Sequence, residues 1–329
     1  MPKRFLSVGL IAAKIAVTLL VLWLIARSVD VPAAARAMQR VPVSTLAMAL
    51  ALLGGQVLIN GIRWSIIARD SGIKLGPVEA ARLFWESLFF GQITPSGVGG
   101  DAWRVYSIAR SGAAVANAMN SVVIDRLVGT AALLFMAFIG IGIEVATGQS
   151  VDGVELAVGL GLAGALVTGV LILLAIQKLP DRERSWDRFG LATACRRASM
   201  LLGEALNKPR LLGVTLAFSI LGQILCSASV WVLAQAAGFP FEFASSLLLV
   251  PVALLISMVP ITIAGWGLRE GVLAAGFVRA GATLEVGAAV SVLFGLLLAA
   301  IGLIGGVSLW IGRRRIAPPA ETAADAAAE

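Results

Sequence analysis

Three pairs of ionisable residues stand inside strongly apolar sequence: Asp101 with Arg104, Asp125 with Arg126, and Arg269 with Glu270. At bilayer depth such residues are costly, and they mark a functional path by default. Arginine suits phosphate because its planar guanidinium donates paired hydrogen bonds. The carboxylates Asp101, Asp125 and Glu270 would balance the arginines when no anion is present, or answer to protons or to a cationic headgroup. Adjacent residues on a helix point about 100° apart, so Asp125 and Arg126 each call for a partner elsewhere. Structural ion pairs are the alternative for all six, and residue types alone do not separate the two readings.

The first pair comes just after a break in the chain, Gly91-Gln92-Ile93-Thr94-Pro95-Ser96-Gly97-Val98-Gly99-Gly100. Pro95 disrupts a helix interior, and Gly99 and Gly100 loosen the backbone after it. In hydrocarbon a broken helix is tolerated only where it is buried in protein or lines a watery cavity. A second break runs from Pro260 through Gly265, Trp266 and Gly267 to Arg269 and Glu270. Both breaks put a glycine five residues and an arginine nine residues after a proline. Paired Gly/Pro-interrupted apolar segments in two halves of a chain point to a transporter-like site.

Composition says what must carry these breaks. Of 329 residues, 59% are hydrophobic and 14% charged, against about 25% charged in soluble domains. Mean hydropathy is +0.93. The expectation is an all-α, polytopic membrane helical bundle of about six to eight spans, including two opposed re-entrant helix hairpins. Residues 1–315 form the membrane domain, and the Ala/Pro/Glu-rich tail 316–329 is expected to be disordered. Full spans are read at Val8–Ala26, Val43–Ile62, Ala113–Ile143, Val154–Ile176, Leu211–Ala236 and Val286–Ile311. Met1-Pro2-Lys3-Arg4 before an apolar run imitates a signal peptide. The run is as long as a span and no small-residue cleavage site comes after it, so a retained helix is expected. Val29–Pro42 reads as a short connector, Arg63-Trp64 as an interfacial pair, and Lys178–Arg210 as the one long polar loop. Arg82–Ile93 is too short to cross alone; it enters the first re-entrant hairpin and Phe243–Val259, which contains Pro251, enters the second, although two full but kinked spans would also fit.

The net charge of +7 fits basic cytoplasmic loops and anionic lipid headgroups. The basic residues are scattered through short loops, so nucleic acid is not an expected partner. Lys/Arg placement puts both termini in the cytoplasm, although Arg27, Arg36 and Arg40 in the first connector fit that rule poorly. The first hairpin then enters from the cytoplasm and the second from outside. The chain has no histidine and two cysteines, Cys195 and Cys226; neither a metal site nor a disulfide is expected. There is no phosphate-binding GxxxxGK[ST] loop, so no ATP-driven device is read from the chain.

Gly91–Arg104, Val123-Ile124-Asp125-Arg126-Leu127-Val128-Gly129 and Pro260–Gly271, together with Arg63-Trp64, resemble the flippase-like family named for the transmembrane region of lysylphosphatidylglycerol synthase. The resemblance spans roughly Val8 to Arg315. It implies a lipid-translocating domain in a bacterial or archaeal cytoplasmic membrane. Some relatives carry a fused aminoacyl-transfer domain; here a short tail lies beyond Arg315, so the synthase title is not carried over.

The expected function is translocation of a polar or anionic lipid through a groove between the two breaks. Cargo candidates are a phospholipid, an aminoacyl-phospholipid, or a polyprenyl- or hopanoid-linked lipid. The path candidates are Pro95, Gly99, Gly100, Asp101, Arg104, Asp125, Arg126, Pro260, Gly265, Trp266, Gly267, Arg269 and Glu270. No catalytic residue, metal or cofactor is expected, and the chain is read as no enzyme. Membrane lipids are the expected partners, with a separately encoded lipid-biosynthesis enzyme as another. Two alternatives remain: a non-transporting scaffold for a lipid-synthesis complex, and a lipid-linked glycosyl- or phospho-transferase.

Overall fold

In a computed structural model of the chain, the described residues are 2–94, 98–146, 161, 199–200, 203–204, 206–259 and 261–313. They are helical, in the order α1 (Pro2–Ser28), α2 (Val31–Arg40), α3 (Val43–Asp70), α4 (Pro77–Ile93), α5 (Val98–Arg110), α6 (Val115–Ala146), α7 (Pro209–Ala236), α8 (Phe243–Ser257), α9 (Leu268–Arg279) and α10 (Leu284–Arg313). The expected span Val154–Ile176, most of the Lys178–Arg210 loop and the tail lie outside the described residues, as do Pro95 and Pro260. Helices α3, α6, α7 and α10 are each long and apolar enough to cross a bilayer, and α1 with α2 makes a bent fifth candidate. The chain is an integral membrane protein with a polytopic helical architecture.

The expected connector 29–42 is a correction. Most of it is the helix α2, turned 89° from α1. The Asp30 carboxylate accepts the Ala33 N–H at 3.2 Å and Pro32 sits in the first turn. A side-chain cap and a first-turn proline are helix-start signals, and here they outweigh the short length.

The two halves repeat one plan. α3 and α7 end in the same turn: Gly72 and Gly238 have φ of 79° and 90°. In each, the next residue donates back into the helix, Ile73 to Ala68 and Phe239 to Ala234. α5 and α9 also end alike, on Gly112 (φ 96°) and Gly281 (φ 94°). A left-handed residue after the last turn satisfies orphan carbonyls, and glycine takes that conformation without a Cβ penalty. Four glycines therefore mark equivalent positions in long helix, hairpin and long helix, twice over.

The repeats are inverted. Lys208 at the start of α7 meets Asp70 at the end of α3, with Nζ–Oδ2 at 2.7 Å. Further along, Gly222 faces Asn60, and Gly55 faces Leu225. α3 and α7 thus run antiparallel. Each hairpin then leans on the last helix of the other half. A Cβ on Gly305 of α10 would collide with the Trp85 carbonyl oxygen of α4, and one on Gly140 of α6 would lie 2.7 Å from Leu248 Cα of α8. Small residues at crossings let membrane helices approach closely, so van der Waals packing replaces the hydrophobic drive that lipid removes.

Candidate functional site

The first hairpin folds back on itself. The Thr94 hydroxyl accepts the Gly99 N–H at 3.2 Å across the break. A Cβ on Gly100 would sit 2.5 Å from the Ser87 carbonyl oxygen, so glycine there lets α5 lie against α4. The Trp103 ring stacks on Phe90 at 4.6 Å. Trp103 Nε1 also donates to buried Glu86 at 3.2 Å.

This fold-back sets Arg104 deep in the bundle, 1% exposed. Its Nη2 donates to Asp125 Oδ2 of α6 at 2.8 Å. The other Asp125 oxygen takes Arg63 Nε of α3, also at 2.8 Å. Arg63 reaches on to the Ser219 hydroxyl of α7 at 2.8 Å. The Arg104 guanidinium lies over the Trp64 ring at 4.1 Å and the Phe84 ring at 4.9 Å. Trp64 in turn donates to Ser121 at 3.3 Å. Three helices meet at one carboxylate, and a fourth joins them through Arg63. The reading of Arg63-Trp64 as an interfacial pair is thereby corrected: both are buried, because Asp125 and Arg104 draw them inward.

Arg126 points away from its neighbour Asp125, as adjacent helical positions require. Its Nε and Nη2 grip Asp101 at 2.9–3.0 Å. The Arg126 side chain is 51% exposed, against 2% for Arg104. Asp101 also lies 3.6 Å from Arg104 Nη1, so it links the locked arginine to the accessible one. Three arginines thus meet two aspartates. The centre lies about 10–15 Å below the end of α3 and the starts of α6 and α7, by helix rise. One of its donors is unused: Arg104 Nε is buried and lacks a hydrogen-bond partner among the described residues.

The second break is built differently. Ala264, Gly265 and Gly267 all have positive φ. Glu270 Oε2 accepts the Gly267 N–H at 2.7 Å, closing the first turn of α9. Its other oxygen takes Arg269 Nε at 3.0 Å. The Arg269 guanidinium lies between the Trp266 and Phe294 rings, at 5.2 and 5.7 Å. α1 closes the outside, where the Thr18 hydroxyl accepts the Ile263 N–H at 2.9 Å. The two breaks meet where Trp266 Nε1 donates to Gln92 of α4 at 3.4 Å.

Counting from the shared glycine caps corrects the matched spacing of the two arginines. Arg104 lies eight residues before Gly112, whereas Arg269 lies twelve before Gly281. The true counterpart of Arg104 is Leu273, and that of Asp101 is Glu270. By the same count Phe294 stands for Asp125 and Gly295 for Arg126. A Cβ on Gly295 would lie 2.7 Å from Glu270 Oε1; the contact that joins Asp101 to Arg126 recurs, with a glycine in place of the arginine. The structure therefore brings together Asp101, Arg104, Asp125 and Arg126 at one centre, with Gly99 and Gly100 beside it. Gly265, Trp266, Gly267, Arg269 and Glu270 form another. Arg63, Ser219 and Glu86 are the participants that sequence reasoning missed as such. An arginine inside an apolar run was the signal available for Arg63.

Such a bundle, with charged residues gathered at two helix breaks, defines a polytopic helical membrane protein. The chain belongs to the lysylphosphatidylglycerol synthase transmembrane-region family, whose model matches residues 11–306. That places it among membrane proteins of lipid metabolism or transport. Among curated proteins none matches the chain.

Proposed function

We propose that the protein translocates a lipid with an anionic, phosphate-bearing headgroup across the cytoplasmic membrane, leaving the lipid chemically unchanged and keeping both termini in the cytoplasm. The observation that carries this reading is the Asp101–Arg126 pair. It stands at the first helix break, half open to the surroundings, and leads by Arg104 to a buried centre with more arginine than carboxylate. A headgroup phosphate offers Arg126 the same paired acceptors that Asp101 offers. Asp101 holds the place of the phosphate, and exchange of one for the other lets the headgroup enter. The acyl chains stay in lipid, while the headgroup avoids the desolvation that bars it from bare hydrocarbon. Asp125 keeps Arg104 and Arg63 fixed throughout, so one cation exchanges partners while two remain anchored.

The test is headgroup accessibility in proteoliposomes holding purified protein and labelled lipids: phosphatidylglycerol, its aminoacylated form and a polyprenyl phosphate. Protein-dependent movement of one class is expected, lost in Arg126→Ala. Asp101→Asn should bind the anionic lipid more tightly, since it removes the competing charge. Movement unchanged in a folded Arg126→Ala protein would overturn the assignment.

A further inference from the structure

A second feature lies on the opposite face of α4 from the arginine centre. A groove of about 590 Å³ runs between α3, α4 and α10. Its walls are Leu58, Ile62, Val78, Trp85 and Ile304, with Arg82 and Ser308 as its polar members. The floor is made by two close helix approaches. A Cβ on Gly61 of α3 would collide with Ala81 Cα, and Gly305 of α10 is pressed against Trp85. With no side chain at either crossing, the flanking residues stand up as walls around an empty trough. Trp85 is fixed there by its Nε1 bond to the Ile301 carbonyl at 2.8 Å.

The groove has the polarity gradient of a lipid. Pro77 starts α4 directly after the turn holding Lys74, with Arg69 in the last turn of α3, basic residues of the kind that mark the headgroup level. Arg82 and Ser308 each lie five residues in from a helix end, about 7 Å deep. Leu58, an apolar wall residue of the groove, lies about 18 Å below the end of α3. Arg82 is 45% exposed, and its partner Glu86 is distant at 3.9 Å, so the guanidinium has donors left over. Counted from the Gly72 and Gly238 caps, its counterpart in the second half is Leu248; the charge is peculiar to this groove.

We propose that this groove is a standing lipid site, holding one acyl chain of an anionic phospholipid with Arg82 on its phosphate. Apolar walls take the chain, and the single cation selects the headgroup. The site is separate from the Asp101–Arg126 centre, and its occupancy does not depend on whether the protein moves lipid.

The experiment uses the full chain in vesicles doped with phosphatidylglycerol that carries a photoreactive diazirine in one acyl chain. Adducts are mapped by peptide mass spectrometry, and matched phosphatidylcholine serves as the control. Adducts are expected on the Leu58–Ile62 and Ile304–Ser308 segments, about fivefold more abundant with the anionic lipid, the ratio for one basic residue near an anionic headgroup. Arg82→Ala should erase that preference. Ile304→Trp, which fills the groove and keeps the Arg82–Glu86 contact, should remove adducts from Leu58–Ile62 for both lipids. Equal labelling by the two lipids, adducts confined to other helices, or labelling unchanged by Ile304→Trp would each overturn the proposal, even if Arg82→Ala failed to fold.

Discussion

At the first break, an arginine crosses to a carboxylate on another helix, and that carboxylate draws a second arginine from a third. At the second break, Arg269 finds its counter-charge on the next residue of its own helix. The places that Arg104 and Asp125 occupy in the first half are held in the second by Leu273 and Phe294, both fully buried. One plan, run twice in opposite directions, therefore yields one polar centre that spans the bundle and one compact pair confined to a helix start. Replacing a buried ion network by apolar residues of like volume is often neutral or stabilising. The second half shows that this fold accepts the apolar solution at that position, so stability alone does not explain the first half's charges. The proposed function would give those charges a role.

Variants that break this contrast have graded effects. Asp125→Ala should be the most damaging, because it strands two buried guanidinium groups; a loss of about 3–5 kcal/mol is expected from unfolding in detergent. Giving the first half the residues of the second, as Arg63→Ser/Arg104→Leu/Asp125→Phe, should restore much of that stability and leave lipid movement absent. A triple variant no more stable than Asp125→Ala would mean that the polar centre is itself the packing solution. Gly295→Ala comes next. Its methyl would crowd Glu270 and Arg269, for which about 1–3 kcal/mol is expected, read as a lowered unfolding midpoint. Glu270→Gln keeps an acceptor for the Gly267 N–H but removes the charge beside Arg269, and a similar or smaller loss of about 1–3 kcal/mol should result. Arg126→Ala should change stability least, read as the smallest shift in the unfolding midpoint, because it leaves behind one carboxylate that still faces Arg104 rather than two buried guanidinium groups. It should nevertheless abolish lipid movement. That inversion of the two scales is the sharpest mark separating the half-open pair from the buried one.

Most of the described helices were legible because each is encoded locally, α2 being the exception. Apolar runs gave the spans, and proline with glycine gave the breaks. Asp125 and Arg126 were expected to seek separate partners, and they do. Arg63-Trp64 misled because an arginine and a tryptophan near the end of an apolar run look interfacial until Asp125 is known to lie opposite. The matched spacing of Arg104 and Arg269 misled more deeply. Four additional residues between break and cap in the second half shift its arginine by about one helical turn, so equal distance from a proline is not equal place on a helix. The glycine caps carried the true register in plain view, at Gly72 and Gly238 and again at Gly112 and Gly281.

What the sequence determined by itself was the solvent of this protein and the points where its helices fail, since hydropathy and backbone freedom are properties of short stretches of chain. The tertiary structure alone decided which charge meets which. Arg63 and Asp125 are 62 residues apart in the chain, and Arg63 and Ser219 are 156 apart. A buried charge must be met by whatever group the packing brings within hydrogen-bond reach, because taking it out of water unpaired is costly.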